Sequence, residues 1–152
     1  MLLSIARLYG SLVAGLSKVG WLGPLLARLT VGWVFAQSGW GKFQNIERVV
    51  GFFTNIGIPA PEFQARFVAG HELVCGVLVM VGLATRLSAI PLAIIMVVAL
   101  ATAVDFEGPT GLLFSDEFGY FAIFVWLLLS GPGAASLDAI VARLTGLGQA
   151  SR

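Results

Sequence analysis

Three ionisable side chains, Lys42, Glu72 and Glu117, are placed where they could do chemistry, because each lies inside or at the edge of an apolar run. An unpartnered charge in such a setting costs several kcal/mol, so each residue needs a counter-charge, a proton or a function. An ammonium beside two carboxylates is a polar centre that can grip a headgroup through hydrogen bonds and exchange protons with it. The catalytic candidates are Glu72, Lys42, His71 and Glu117, and the candidates for lining a pocket around them are Gln37, Trp40, Lys42, Glu72 and Tyr120. The alternative for the same charges is a salt bridge that only fixes how helices pack.

The other reactive groups narrow the chemistry. His71 is the single histidine and Cys75 the single cysteine, one helical turn apart. A histidine at this depth can relay protons near neutral pH, or serve as a hydrogen-bonded packing residue. Cys75 reads as an inert buried thiol. One cysteine excludes an internal disulfide and a Cys-x-x-Cys relay, and one histidine excludes bis-histidine haem ligation. Nothing has the spacing of a zinc site, so no metal is expected and any redox cofactor is borrowed or diffusible.

The elements that must position these groups are membrane helices. Arg66 to Arg86 is an apolar run bracketed by charge, spanning ~30 Å as a helix, about the thickness of a bilayer's hydrocarbon core. Glu72 then sits ~9 Å below the level of Arg66. An earlier span runs from Pro24 to Gly41, with Arg28 a turn inside its start and Lys42 past its end, both able to snorkel to the surface. Gly32, Ala36 and Gly39 give it a small-residue stripe for close packing, and Gln37 wants an interhelical hydrogen bond. Leu87 to Val104 is uncharged throughout and makes a third span, with Pro91 in its opening turns.

The fourth span is the awkward one. Phe118 to Ser130 covers only about 20 Å as a helix, and must recruit Leu112 to Phe114 or Ala134 to Leu137. Before it, Asp105, Glu107, Asp116 and Glu117 acidify a connection whose Gly-Pro-Thr-Gly sequence is expected not to continue a helix. Two amphipathic stripes predict helices lying in the interface: Leu2, Ala6, Tyr9, Val13 and Leu16, and then Ile46, Val49, Val50 and Phe53, closed by Pro59 and Pro61. A short helix is expected from Ser136, with Ser-Leu-Asp as cap and acidic first turn. Arg28, Arg86 and Asp138 are expected to meet at one edge, with Arg86 paired to Asp138.

Composition agrees with lipid as the solvent. Of 152 residues, 58% are hydrophobic and 11% charged, against ~25% charged in soluble domains. The mean hydropathy is +0.93. A net charge of +1 with dispersed cations argues against a nucleic-acid partner. Arg7 and Lys18 interrupt the apolar start, which therefore lacks the core of a signal peptide. Four spans put both termini on one side, the side that collects Arg7, Lys18, Arg28, Arg86, Arg143 and Arg152, and this basic excess assigns it to the cytoplasm.

The pattern resembles the DoxX family of small four-helix bacterial membrane proteins. The matching features are Arg28, Gly39 and Lys42 of the first span, Phe52 and Phe53 before Gly57, Pro59 and Pro61, then Glu72 and Gly76. They continue with Gly82 to Arg86, Glu117 before the fourth span, Gly131 to Gly133, and Ser136 to Asp138. The likeness covers roughly residues 24 to 142 and is specific in order and spacing. It implies a four-helix membrane bundle and an association with oxidoreductase systems, including thiosulfate:quinone oxidoreductases, without assigning any of these residues a catalytic role.

The fold expected is an all-α integral membrane four-helix bundle with short amphipathic interfacial helices. Residues 1–20 form the amphipathic helix, 21–146 the four-span domain and 147–152 a flexible tail. The function read here is a membrane subunit or anchor of a bacterial redox complex whose polar cluster takes a quinone headgroup, with no covalently bound cofactor. The alternatives are a non-catalytic scaffold subunit, or a small transporter, which the absence of an inverted repeat weakens. The expected surroundings are the bacterial inner membrane, partner redox subunits and further copies of the chain.

Overall fold

The computed structural model describes residues 2–102 and 108–145, with side chains from Tyr9 to Thr102 and from Gly111 to Thr145. Asp105, Glu107 and the tail 147–152 lie outside the described residues. Every described element is helical: α1 (Leu2–Lys18), α2 (Leu22–Gln44), α3 (Ile46–Asn55), α4 (Pro61–Val81), α5 (Thr85–Thr102), α6 (Gly108–Phe114), α7 (Asp116–Ser130) and α8 (Leu137–Thr145).

Helices α4 and α5 are each long and apolar enough to cross a membrane, and α1 with α2, bent by 49° at their break, makes a third candidate. The fourth expected span, α7, has 15 residues and remains short of a bilayer. By length and composition the described residues thus hold two or three spans, although four helices make the packed unit. In that unit α2 lies along α4, α5 along α7, α4 touches α5, and a smaller α2–α7 contact closes the ring. Val31 and Phe35 of α2, Val79 of α4, Leu92 of α5 and Phe124 and Leu127 of α7 meet in its core.

The α2–α4 contact is close because small residues face each other. A Cβ on Gly39 would come within 2.6 Å of the Ala69 carbonyl oxygen, and one on Gly76 within 2.6 Å of the Ala36 nitrogen. Only hydrogen fits at those two positions, and the backbones approach accordingly.

The run from Arg66 to Arg86 is not one helix, and the second span, expected to open at the prolines and to reach Leu83 before a tight turn around Arg86, ends two residues sooner. Helix α4 starts at Pro61 and stops at Val81, because Gly82 takes φ 75° and the Gly82 and Leu83 N–H groups both close on the Leu78 carbonyl at 2.9 Å. Arg86 therefore belongs to the first turn of α5. The Gly-Pro-Thr-Gly stretch is helical after all, as the start of α6: a proline in the first turn has no intrahelical partner to lose. Ser115 then breaks the chain in an extended conformation and caps α7, its Oγ accepting the Phe118 N–H at 3.3 Å.

At the other end of the bundle, Ser136 caps α8 as expected, accepting from Ala139 N at 3.1 Å. Asp138 does not pair with Arg86. Its carboxylate accepts the Ala84 N–H at 2.7 Å and the Thr85 N–H at 3.0 Å, so it caps α5 from outside, and its own N–H donates to the Gly82 carbonyl at 2.8 Å. The first free amides of a helix offer a carboxylate two fixed donors plus the helix dipole, which an exposed arginine does not match. Arg28 is buried here, donating from Nη2 to the Ala135 carbonyl while Nη1 has no hydrogen-bond partner. Arg28 and Asp138 are thus tied to this edge through backbone groups rather than through an arginine–carboxylate fork, with exposed Arg86 beside them in the first turn of α5.

Candidate functional site

Lys42 and Glu72 meet. Lys42 Nζ lies 2.5 Å from Glu72 Oε1 and 2.6 Å from Oε2, and Ser38 Oγ donates to Oε2 at 2.9 Å. The two helices run antiparallel, which brings the late turns of α2 beside the middle of α4. Side chains tilt toward the N-terminus of their helix, so Lys42, near the end of α2, is directed back into the bundle instead of out to the surface. Ser38 stands one turn before Lys42 on the same face. Glu72 is 2% exposed and the Lys42 side chain 28%. The carboxylate is thus a buried charge with both oxygens bonded, as burial demands.

This pair borders an apolar cavity of about 820 Å³. Phe35 and Ser38 of α2, Val49, Phe52 and Phe53 of α3, Phe67 of α4, Ile95 and Ala99 of α5 and Tyr120 of α7 form its walls. Helix α3 closes one side. Its half-buried stripe is the expected one, Ile46, Val49, Val50 and Phe53, and the helix rests on α4. Phe35 sits under Tyr120 edge to face, with ring centroids 5.4 Å apart. A volume of this size with few polar groups suits a small ligand.

The other candidates divide. Glu117 and Tyr120 line the same cavity, from the first turns of α7, but Glu117 makes no hydrogen bond or ion pair with Glu72, so the two carboxylates do not share a proton directly. Gln37 and Trp40 do not line it: both are exposed on α2, and Trp40 is 57% exposed. At about 100° per residue Trp40 points almost opposite to Ser38 and Lys42, and Gln37 points a quarter-turn away. His71 is half-buried outside the cavity, its ring tilted by 40° against that of Phe67 with centroids 4.1 Å apart, and its Nδ1 donates to the Phe67 carbonyl at 2.9 Å. Cys75 is buried in the core.

Sequence reasoning missed Ser38 and the cavity face of Arg48. The first had a signal in the four-residue spacing from Ser38 to Lys42. The second had none until α3 was placed.

Helices long and apolar enough to cross a bilayer, packed around a lysine–glutamate pair, mark an integral membrane protein. The DoxX family model matches residues 23–105, and the chain belongs to that family. It is 36% identical over 122 residues to a Bacillus subtilis protein named "Putative oxidoreductase CatD", covering 79% of this chain and 87% of that one. It is 40% identical over 124 residues to the Mycobacterium tuberculosis "Uncharacterized membrane protein Rv3486", covering 73% and 76% of the two chains. It is 30% identical over 125 residues to the Escherichia coli inner membrane protein YphA, covering 75% and 86%. No solved structure matches the chain.

Proposed function

We propose that the chain is a membrane subunit or anchor of a bacterial oxidoreductase complex, and that its cavity takes the headgroup of a quinone. One observation carries this reading: a hydrogen-bonded Lys42–Glu72–Ser38 centre borders a cavity of about 820 Å³ whose other walls are mostly aromatic and aliphatic, with Arg48, Gln64, Thr102 and Glu117 as the remaining polar groups. The relative with oxidoreductase in its name supports the redox context. The residues suit the ligand. Phe35, Phe52, Phe53 and Tyr120 give the cavity aromatic walls for a flat headgroup, and Lys42 Nζ, with two of its three donors on Glu72, has one left for a carbonyl oxygen.

A bound quinone supplies two-electron, two-proton redox chemistry, with the electrons arriving from a partner subunit. The chain's own part is to bind, to orient and to move protons. Lys42 and Glu72 form a hydrogen-bonded acid–base pair on the cavity wall, and Glu117 provides a second carboxyl in the same cavity. A structural reading of the pair is favoured by one fact, that both Glu72 oxygens are already satisfied by protein donors.

Purification from native membranes in mild detergent, with co-purifying proteins and small molecules identified by mass, tests the proposal. The expected result is a flavin-, haem- or iron–sulfur-bearing partner together with a bound quinone. Recovery of the chain with neither rejects it.

A further inference from the structure

Helix α3 makes one wall of the cavity, yet little holds it there. None of its 10 residues is buried, and among the described residues no hydrogen bond or ion pair ties one of its side chains to another element. It rests on α4, and Val49, Phe52 and Phe53 line the cavity instead of filling the packed core. An amphipathic helix keeps its apolar face equally well in the bilayer interface, so moving this one aside costs little. Its ends are breaks in the helical path: Asn45, at φ −127° and ψ 41°, separates it from α2, and Gly57 at φ 75° and Ala60 at φ 50° separate it from α4. Such element-terminal residues are where hinge motion is absorbed.

Charge supplies what packing does not. Arg48 on α3 and Glu117 in the first turn of α7 line the same cavity from different helices. Neither side chain has an ion pair or hydrogen bond among the described residues. The other two charges of the cavity, Lys42 and Glu72, satisfy each other. One cation and one anion are therefore left over, and they attract. Arg48 is exposed and Glu117 half-buried, so the arginine sits at the rim, where its long stem is free to bend inward.

We propose that α3 is a lid over the cavity and that an Arg48–Glu117 ion pair is its latch, unmade in this structure and made when the lid swings shut. Closure is a hinge movement of one helix, which carries its apolar face toward Ile95 and Ala99 of α5 and narrows the cavity. The lid governs entry and exit, so it serves any ligand of the cavity and stands apart from the quinone reading.

A thiol inside the cavity reads the lid with no ligand present. Ala99→Cys, on the cavity wall, would be labelled in nanodiscs with a small maleimide, with the parent, whose Cys75 is buried, as blank. Because exposed ion pairs are weak, adding Arg48→Gln or Glu117→Gln is expected to speed labelling about two- to fivefold. The charge swap, Arg48→Glu with Glu117→Arg, is expected to return the rate to within about twofold of that with both native residues. With both native residues in place, raising the salt from about 0.1 M to about 1 M shortens the screening length from about 10 Å to about 3 Å. This is expected to give the same acceleration, and Arg48→Gln to abolish it. Labelling indifferent to salt and to both neutral variants, or a swap that labels as fast as the single changes, would overturn the proposal.

Discussion

At the scale of single residues, the order in which the partners of Glu72 are removed decides the outcome. Glu72 is 2% exposed, so Lys42→Met leaves a carboxylate in low dielectric that must stay charged at high cost or take a proton. A destabilisation of about 3–5 kcal/mol is expected from this single change. Adding Glu72→Gln to it should recover most of the loss, because an amide needs no counter-charge. Reversible unfolding of the single and double variants in detergent measures this, and equal stability of the two would contradict it. Ser38→Ala removes one hydrogen bond to a charged group and should cost about 1.5–3 kcal/mol. The Lys–Glu pair was legible in the sequence because a charge inside an apolar run stands out against every neighbour. Ser38 was not, since a lone serine in a membrane helix has many unremarkable uses. Gln37 and Trp40 were assigned to the pocket on chemistry alone. Which way they point depends on the helix face that α4 covers, and that face is set by glycines on both helices.

At the scale of elements, the seam between α2 and α4 is the stiffest constraint. A valine at Gly39 would drive its side chain into the Ala69 and Leu73 backbone, and backbone cannot move aside as a flexible side chain can. Gly39→Val is expected to destabilise the bundle by about 1–3 kcal/mol or more and to displace Lys42 from Glu72, seen as loss of a cross-link between cysteines placed at the two positions. Asp138→Asn keeps one acceptor for the Ala84 and Thr85 amides but loses the charge, and should cost about 0.5–2 kcal/mol. Arg86→Gln, by contrast, should leave the α5 cap intact, which separates this account from an Arg86–Asp138 salt bridge. Spans bracketed by charge were readable from sequence. Their exact ends were not, because Gly82 and Ala84 in positive φ place the turn before Arg86, and no periodicity announces that. Helix α6 was hidden for a related reason, since Gly-Pro reads as a breaker unless it opens a helix.

At the scale of the whole molecule, the bundle has two polar ends. Lys42, Glu72, Glu117 and helix α3 gather at one, and Arg28, Asp138 and helix α8 at the other. The basic excess on the second end predicts that it faces the cytoplasm. A cysteine at exposed Asn55 should then react with an impermeant thiol reagent added to intact cells, and one at exposed Thr145 only after lysis. The reverse pattern would invert the topology and with it the side from which the cavity exchanges protons. The central claim, that the Lys42–Glu72–Ser38 centre serves a ligand and not merely the packing of α2 on α4, is tested most directly by quinone binding. Ubiquinone and menaquinone would be titrated into nanodiscs holding the parent, Glu72→Gln, or Lys42→Met with Glu72→Gln. Saturable binding by the parent, weakened at least about tenfold in both folded variants, is the predicted result; binding that is the same in all three, or absent from the parent, would contradict it.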